Sequence, residues 1–135
     1  MRVVNEVPSH LPYVSVDWRR IVQVFQNLIE NAVQHSPPGA IVRLVAREMW
    51  SEDRRWVECE VLDSGPGFRA DDLAQLFTPF FTTRAGGTGL GLSIVQRIAV
   101  AHGGVVSGGN RETGGARMVV RLPVEADASH SGRSQ

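Results

Sequence analysis

Asp17-Trp18-Arg19-Arg20-Ile21-Val22-Gln23-Val24-Phe25-Gln26-Asn27-Leu28-Ile29-Glu30-Asn31-Ala32-Val33-Gln34-His35 is the stretch that decides the fold. Trp18, Ile21, Val22, Phe25, Leu28, Ile29, Ala32 and Val33 fall at steps of three and four, the repeat of one helix face, and Asp17 supplies an N-cap. Ser36-Pro37-Pro38-Gly39 ends this helix. Before it, the β-branched segment Arg2 to Val7 stops at Pro8 and predicts an edge strand. After it come two strands, Ala40 to Trp50 and Arg54 to Asp63, joined by Ser51-Glu52-Asp53. In the second, Val57, Cys59 and Val61 share one face while Glu58 and Glu60 point the other way. Cys59 reads as a small core residue.

From Ser64 to Thr88 the pattern breaks into glycine, proline and phenylalanine, with one short helix at Ala70 to Leu76. A stretch this long with little regular structure is usually functional or mobile. Leu90 to Ala101 is helical again and closes at Gly103-Gly104. Val105 to Gly109 and Ala116 to Leu122 predict a hairpin around Asn110-Arg111-Glu112-Thr113-Gly114. This order predicts an α/β (α+β) two-layer sandwich, a mixed sheet of about five strands with about three helices on one face. The expected domain covers residues 1–124, with 125–135 as a disordered polar tail.

Composition narrows the function classes. The 135 residues are 42% apolar and 21% charged, enough for one packed domain. Acidic and basic residues balance at 14 each, so no global charge favours nucleic acid or an anionic membrane. Every basic residue is arginine, which excludes the P-loop and lysine Schiff-base chemistry. A single cysteine excludes an internal disulfide. With no apolar run of about 18 residues and no signal-like opening, the expectation is a soluble, cytoplasmic chain, whose parent can still be membrane-anchored through segments outside this stretch.

Three polar features carry chemistry. Asn27, Asn31 and Gln34 form a stripe beside the apolar helix face; alone it reads as a solvated face, although an amide oxygen is also a hard ligand for magnesium. Asp63-Ser64-Gly65-Pro66-Gly67 follows a strand. A carboxylate there can accept from an exocyclic amine while the glycines admit a flat ring, but Asp/Gly turns are common. Gly86-Gly87-Thr88-Gly89-Leu90-Gly91-Leu92 enters a helix, and reads equally as an anion site of free amides or as a flexible hinge. It is not the dinucleotide fingerprint, because Leu92 stands where the third glycine belongs.

Taken together, Gln26-Asn27-Leu28-Ile29-Glu30-Asn31-Ala32, Asp63-Ser64-Gly65-Pro66-Gly67, Leu76-Phe77-Thr78-Pro79-Phe80-Phe81-Thr82-Thr83-Arg84 and Gly87-Thr88-Gly89-Leu90-Gly91-Leu92 resemble four boxes of the ATP-binding catalytic domain of bacterial sensor histidine kinases. Gly114-Gly115 resembles a weaker third glycine motif. The resemblance runs from about Val3 to Val124, and implies the α/β sandwich shared with gyrase-type ATPases. It implies that Asn31 binds magnesium, that Asn27 supports it and contacts phosphate, and that Asp63 takes the adenine amine in a pocket shaped by Gly65 and Gly67. Residues between Gly67 and Gly87 become a mobile lid anchored by aromatics such as Phe77 and Phe80. The amides of Gly87, Thr88, Gly89, Leu90 and Gly91, with Leu92 closing the box, meet the phosphates. His35 stands where the family often has a ring beside the nucleotide, and equally suits a helix cap.

Three departures stand out. Gln34 replaces a common lysine, which leaves Arg84 as the candidate cation for the phosphates. Ala116 replaces a threonine. Nothing resembles the helical hairpin that carries the phosphorylated histidine, since His10, His35, His102 and His130 lie elsewhere. The implied activity is therefore that of a sensor histidine kinase catalytic domain only. It would bind ATP or ADP with magnesium, present the γ-phosphate to a histidine on another domain of the same parent, and serve a response regulator downstream. The isolated chain is expected to be a monomer that does not phosphorylate itself. The rivals are a hydrolysing ATPase or an anti-sigma serine kinase of the same superfamily, and a non-catalytic nucleotide-binding module. The hydrolases carry a carboxylate where this chain has Asn27.

Overall fold

The computed structural model describes residues 2–79 and 91–125. Among them, the elements run β1 (Arg2–Glu6), α1 (Trp18–His35), β2 (Ile41–Ser51), β3 (Arg54–Leu62), α2 (Ala70–Leu73), α3 (Gly91–Ala101), β4 (Val105–Asn110) and β5 (Ala116–Pro123). The strands form one sheet in the order β1-β2-β3-β5-β4. β1 and β2 are parallel and the remaining pairs antiparallel. A parallel neighbour needs a crossover, and α1 provides it. Of the expected tail, 125–135, residues 126–135 lie outside the described residues, while the Glu125 amide donates to the Tyr13 carbonyl (3.0 Å).

One face of the sheet carries the core. Val42, Val61, Met118, Val120 and Leu122 meet Val24, Leu28 and Ala32 of α1 and Val95, Ile98 and Ala99 of α3. The helices are fastened at two places. Asn27 Nδ2 donates to the Gly91 carbonyl where α3 begins (3.4 Å), and the Asp17 amide donates to His102 Nε2 just past its end (3.0 Å). The helices therefore run antiparallel. His102 Nδ1 lies 2.8 Å from the Ile98 carbonyl, so the ring proton belongs on Nδ1 and Nε2 is left to accept.

The sequence reading holds in most of these elements. Asp17 caps α1, its carboxylate accepting from the Arg19 amide at 3.1 Å. Strand limits differ by a residue, because pairing continues to Ser51 and leaves Glu52 and Asp53 as a two-residue turn. Both have positive φ (54° and 62°), as a tight hairpin requires. Three expectations need correction. Trp18 is 69% exposed, since it stands in the first turn, one step before Ile21 reaches the core, whereas Val24 is wholly buried. The short helix ends at Leu73, not Leu76: the Gln75 and Thr78 amides close onto the Asp72 and Gln75 carbonyls in three-residue turns, which still deliver Leu76 to the core. Cys59 is half-buried rather than a full core residue. Burial and the neighbouring Glu58 charge push its thiol up to about 11, which keeps it unreactive at neutral pH.

Glu58 lies on the helix-free face and is nevertheless wholly buried. Cross-strand register sets Arg47 on one side of it and Arg121 on the other. Arg47 Nη2 reaches Glu58 Oε1 and Arg121 Nε reaches Oε2, both at 2.9 Å, while Arg117 pairs with Glu60. The two guanidiniums thereby engage both carboxylate oxygens. Burial alone would raise the Glu58 pKa, but hydrogen bonds from Arg121 and Arg47, with their charges, outweigh burial and hold it below the ordinary 4.5. No helix among the described residues is long and apolar enough to cross a membrane.

Glu58→Gln is expected to destabilise the fold by about 2 kcal/mol at pH 7. This is less than a fully buried pair costs, because the half-exposed arginines can turn to water. A carboxylate with a depressed folded pKa contributes fully above its unfolded value and loses that contribution as pH falls through the folded one. Urea unfolding should therefore show a constant gap between wild type and variant from pH 5 to 8, narrowing below about pH 4. A gap independent of pH into the acid range would remove the ionised Glu58 from this account.

Candidate functional site

The site gathers where β3, the hairpin of β4 and β5, and the last turns of α1 come together. Asp63, directly after β3, is only 2% exposed. Its Oδ1 accepts from the Gly65 amide (2.9 Å) and the Ala116 amide (2.8 Å). Its own amide donates to the Ala116 carbonyl (3.0 Å), and Arg111 Nη1 donates to its carbonyl (2.8 Å). Among the described residues, Oδ2 has no hydrogen-bond partner. A buried carboxylate is thus fixed through one oxygen while the other stays available to a donor from outside.

The glycines after Asp63 are required by close approach within the protein. A Cβ on Gly65 would overlap the His35 carbonyl oxygen at the end of α1, and one on Gly67 (φ +80°) would come within 2.6 Å of Asn110 Oδ1. Gly115 (φ +93°) packs against the Asp63 carbonyl in the same way. Absent side chains therefore let the loop after β3 approach the end of α1 and the β4–β5 hairpin closely.

On α1, Asn31 is half-buried, and its side-chain amide has no hydrogen-bond partner among the described residues. Gln34 is exposed. His35 Nδ1 meets the Asn31 backbone carbonyl at 2.8 Å within the last turn, a helix-end contact, and its ring packs edge-on against Phe68, with centroids 5.9 Å apart. Gln34, His35 and Gly65 line a common cleft of about 430 Å³ with Ser36, Pro37, Ser64 and Pro66. Asn27 is turned toward α3, where its amide ties the two helices at Gly91, and Leu92 packs on the core. Phe80, Arg84, Gly87, Thr88, Gly89 and Leu90 lie outside the described residues, as do residues 80–86 of the expected lid.

Sequence reasoning missed Arg111, which sits in a hairpin turn whose composition signals only a turn. It also noted Ala116 only for the threonine it replaces. The structure assigns Ala116 a role that needs no side chain, since its backbone amide and carbonyl both bind Asp63.

Residues 16–126 match the family described as histidine kinase-, DNA gyrase B- and HSP90-like ATPases, and the chain belongs to that family. It is 42% identical over 114 residues to the sensor histidine kinase ZraS of Escherichia coli O157:H7, which covers 84% of this chain and 24% of that protein. The adaptive-response sensory kinase SasA of Synechococcus sp. (strain CC9311) is 33% identical over 125 residues, 89% of this chain and 32% of that one. The chain therefore spans about a quarter to a third of the length of these relatives. Among solved structures, the catalytic domain of histidine kinase ThkA, in a nucleotide-free form, superposes with a TM-score of 0.78 at 32% identity, covering 91% of this chain and 78% of that one. Full-length ShkA in complex with AMPPNP gives 0.76 at 32% identity, covering 94% of this chain and 26% of that one. The fold is that of a histidine kinase ATPase domain.

Substituting the tight glycine should separate packing from mere glycine content. Gly65→Ala is expected to destabilise by about 2 kcal/mol, because the new methyl must displace backbone rather than a flexible side chain. Gly109→Ala, which meets nothing within 4 Å, should stay within about 0.5 kcal/mol of wild type. Equal denaturation midpoints for the two variants would contradict the close approach at His35.

Proposed function

We propose that this domain binds ATP with magnesium and presents the γ-phosphate to a histidine on a separate dimerisation and phosphoacceptor domain of its parent, as the first step of two-component signalling through a response regulator. The observation that carries the reading is Asp63, buried, fixed through Oδ1 and open at Oδ2. An adenine amine is the donor that this oxygen suits, whereas the guanine ring offers a carbonyl at the equivalent position. Gly65 and Gly67 then shape the base pocket, and His35 and Gln34 lie at its α1 side.

Asn31 is the residue on α1 suited to magnesium, since its half-buried amide is unengaged among the described residues. Those residues hold no cluster of three His, Cys, Asp or Glu that could retain an ion by itself. The ion would be shared with nucleotide phosphates and water, and would supply charge neutralisation in phosphoryl transfer. Gly87 to Leu92 and Arg84 are assigned to the phosphates from their sequence alone. In the transfer, the imidazole nitrogen of the acceptor attacks the γ-phosphorus, the bond to the β–γ bridging oxygen breaks, and ADP leaves.

Asn27 favours this over hydrolysis. A hydrolase needs a base to activate water, and the Asn27 amide has no proton-accepting carboxylate and is committed to the Gly91 carbonyl. Glu30 is exposed on the outer side of α1.

Calorimetry should give binding of ATP and ADP and much weaker binding of GTP. Asp63→Asn keeps an acceptor for Gly65 and Ala116 but loses the charge, and should weaken ATP by at least about 1.5 kcal/mol. Equal affinity for ATP and GTP would sink the adenine assignment. Asn31→Ala should weaken ATP binding in magnesium more than in chelator; an equal loss in both makes Asn31 purely structural. With γ-labelled ATP, the isolated domain should acquire no acid-labile phosphate, and label should appear when the parent's histidine-bearing domain is supplied. Label on this chain's own histidines, or rapid ATP turnover alone, would point to a self-sufficient enzyme.

A further inference from the structure

Asn110 closes β4 with its side chain turned onto the backbone of another segment. Its Oδ1 accepts from the Phe68 amide at 2.7 Å, and its Nδ2 donates to the Phe68 carbonyl at 2.9 Å. A side-chain amide thereby replaces a strand: it satisfies both backbone groups of one residue, 42 positions away, as a paired neighbour in a sheet would. Gly67 takes its positive φ (+80°) directly beside Oδ1, so the approach depends on glycine there. Phe68, held this way, is 9% exposed and sets its ring against His35.

The loop from Asp63 to Phe68 is consequently gripped at both ends by the same hairpin. Ala116 and Arg111 hold its start at Asp63, and Asn110 holds its end at Phe68. Between the grips lie Gly65 and the cleft it shares with His35. We propose that Asn110 is a positioning residue for the nucleotide base: its two-point bond to Phe68 fixes the far end of the loop, and with it the spacing between that loop and His35. This rests on the ATP reading above. Asn110 itself touches no nucleotide in this account. It acts through Phe68 and Gly67.

The amide is needed for both bonds. Alanine removes them. Aspartate, nearly the same shape, keeps an acceptor for the Phe68 amide but sets a carboxylate against the Phe68 carbonyl. The two variants thus separate loss of bonding from loss of shape.

The test is calorimetric titration of ATP and of ADP, each in magnesium and in chelator, into wild type, Asn110→Ala and Asn110→Asp, alongside thermal unfolding without ligand and hydrogen exchange at the Phe68 amide. Asn110→Ala should raise Kd by about tenfold, and by the same factor for ATP and ADP with or without metal, because only the base end is disturbed. Exchange at Phe68 should quicken in both variants, and Asn110→Asp should weaken binding as well. Unchanged Kd values with a lowered unfolding temperature would reduce Asn110 to a stability residue and overturn the proposal. So would a loss confined to ATP in magnesium, which would place the effect at the phosphates. A wild-type protein that binds neither nucleotide overturns the ATP reading and this role together; a wild type that binds while both variants bind equally well overturns this role alone.

Discussion

Much of the molecule's architecture near the site hangs on a single carboxylate oxygen. Asp63 Oδ1 accepts at once from Gly65, two residues on, and from Ala116, 53 residues on. The first bond bends the chain as it leaves β3; the second ties that bend to the start of β5. A carboxylate accepting backbone amides in a dry setting is among the stronger arrangements open to a protein, and it leaves a second oxygen with the same charge and no internal partner among the described residues. One oxygen of the group thus serves the fold, and under the proposed function the other serves recognition. The glycines at 65 and 115 accompany this arrangement, since a Cβ on either would run into backbone, at the His35 carbonyl and the Asp63 carbonyl respectively, while Gly67 makes room for the Asn110 side chain.

The opposite face of the sheet is organised by charge. Sheets with helices on one side must cover the other or leave it wet. Here Glu58 and Glu60 lie under Arg47, Arg117 and Arg121. Arginine suits this position, because its guanidinium can engage a carboxylate through two nitrogens while the stem lies along the strand. A chain whose cations are all arginine builds such a layer readily. Gln34, beside His35 at the end of α1, stands exposed and uncharged.

The helix pair joins the two halves. Asn27 and His102 each spend a side chain on the α1–α3 contact, so the end of α1 that carries Asn31 and the start of α3 at Gly91 are held in one frame. The domain's relatives reach three to four times its length, and the chemistry proposed requires a second domain to bring the accepting nitrogen. On that proposal this chain contributes the seat that positions the nucleotide, and positioning is most of what phosphoryl transfer asks of a protein that has little covalent chemistry to perform.

Much of this was legible in the residues. Period and caps marked α1 to within a residue, alternation marked β3, and the turn residues marked the hairpin, because those signals are local and each is fixed by backbone geometry that a few neighbours decide. The glycine and asparagine boxes also directed attention to Asp63, Asn31 and Gly65, which the fold gathers at one end of the sheet, beside the last turns of α1. Local signals failed where a side chain's fate depends on a distant partner. Glu58 alternates as an outward-facing residue should, and only the register of three strands shows that two arginines bury it. Trp18 fits the helical repeat yet lies outside the core, since periodicity gives a direction and not whether anything is there to meet it. Arg111 and Asn110 look like turn residues, and hold the loop after β3 because the sheet brings the β4–β5 turn alongside it. The sequence by itself determined the elements and the family. Tertiary structure alone decided which polar groups are satisfied and which remain open, because hydrogen-bond satisfaction depends on partners that are distant along the chain and neighbours only in the fold.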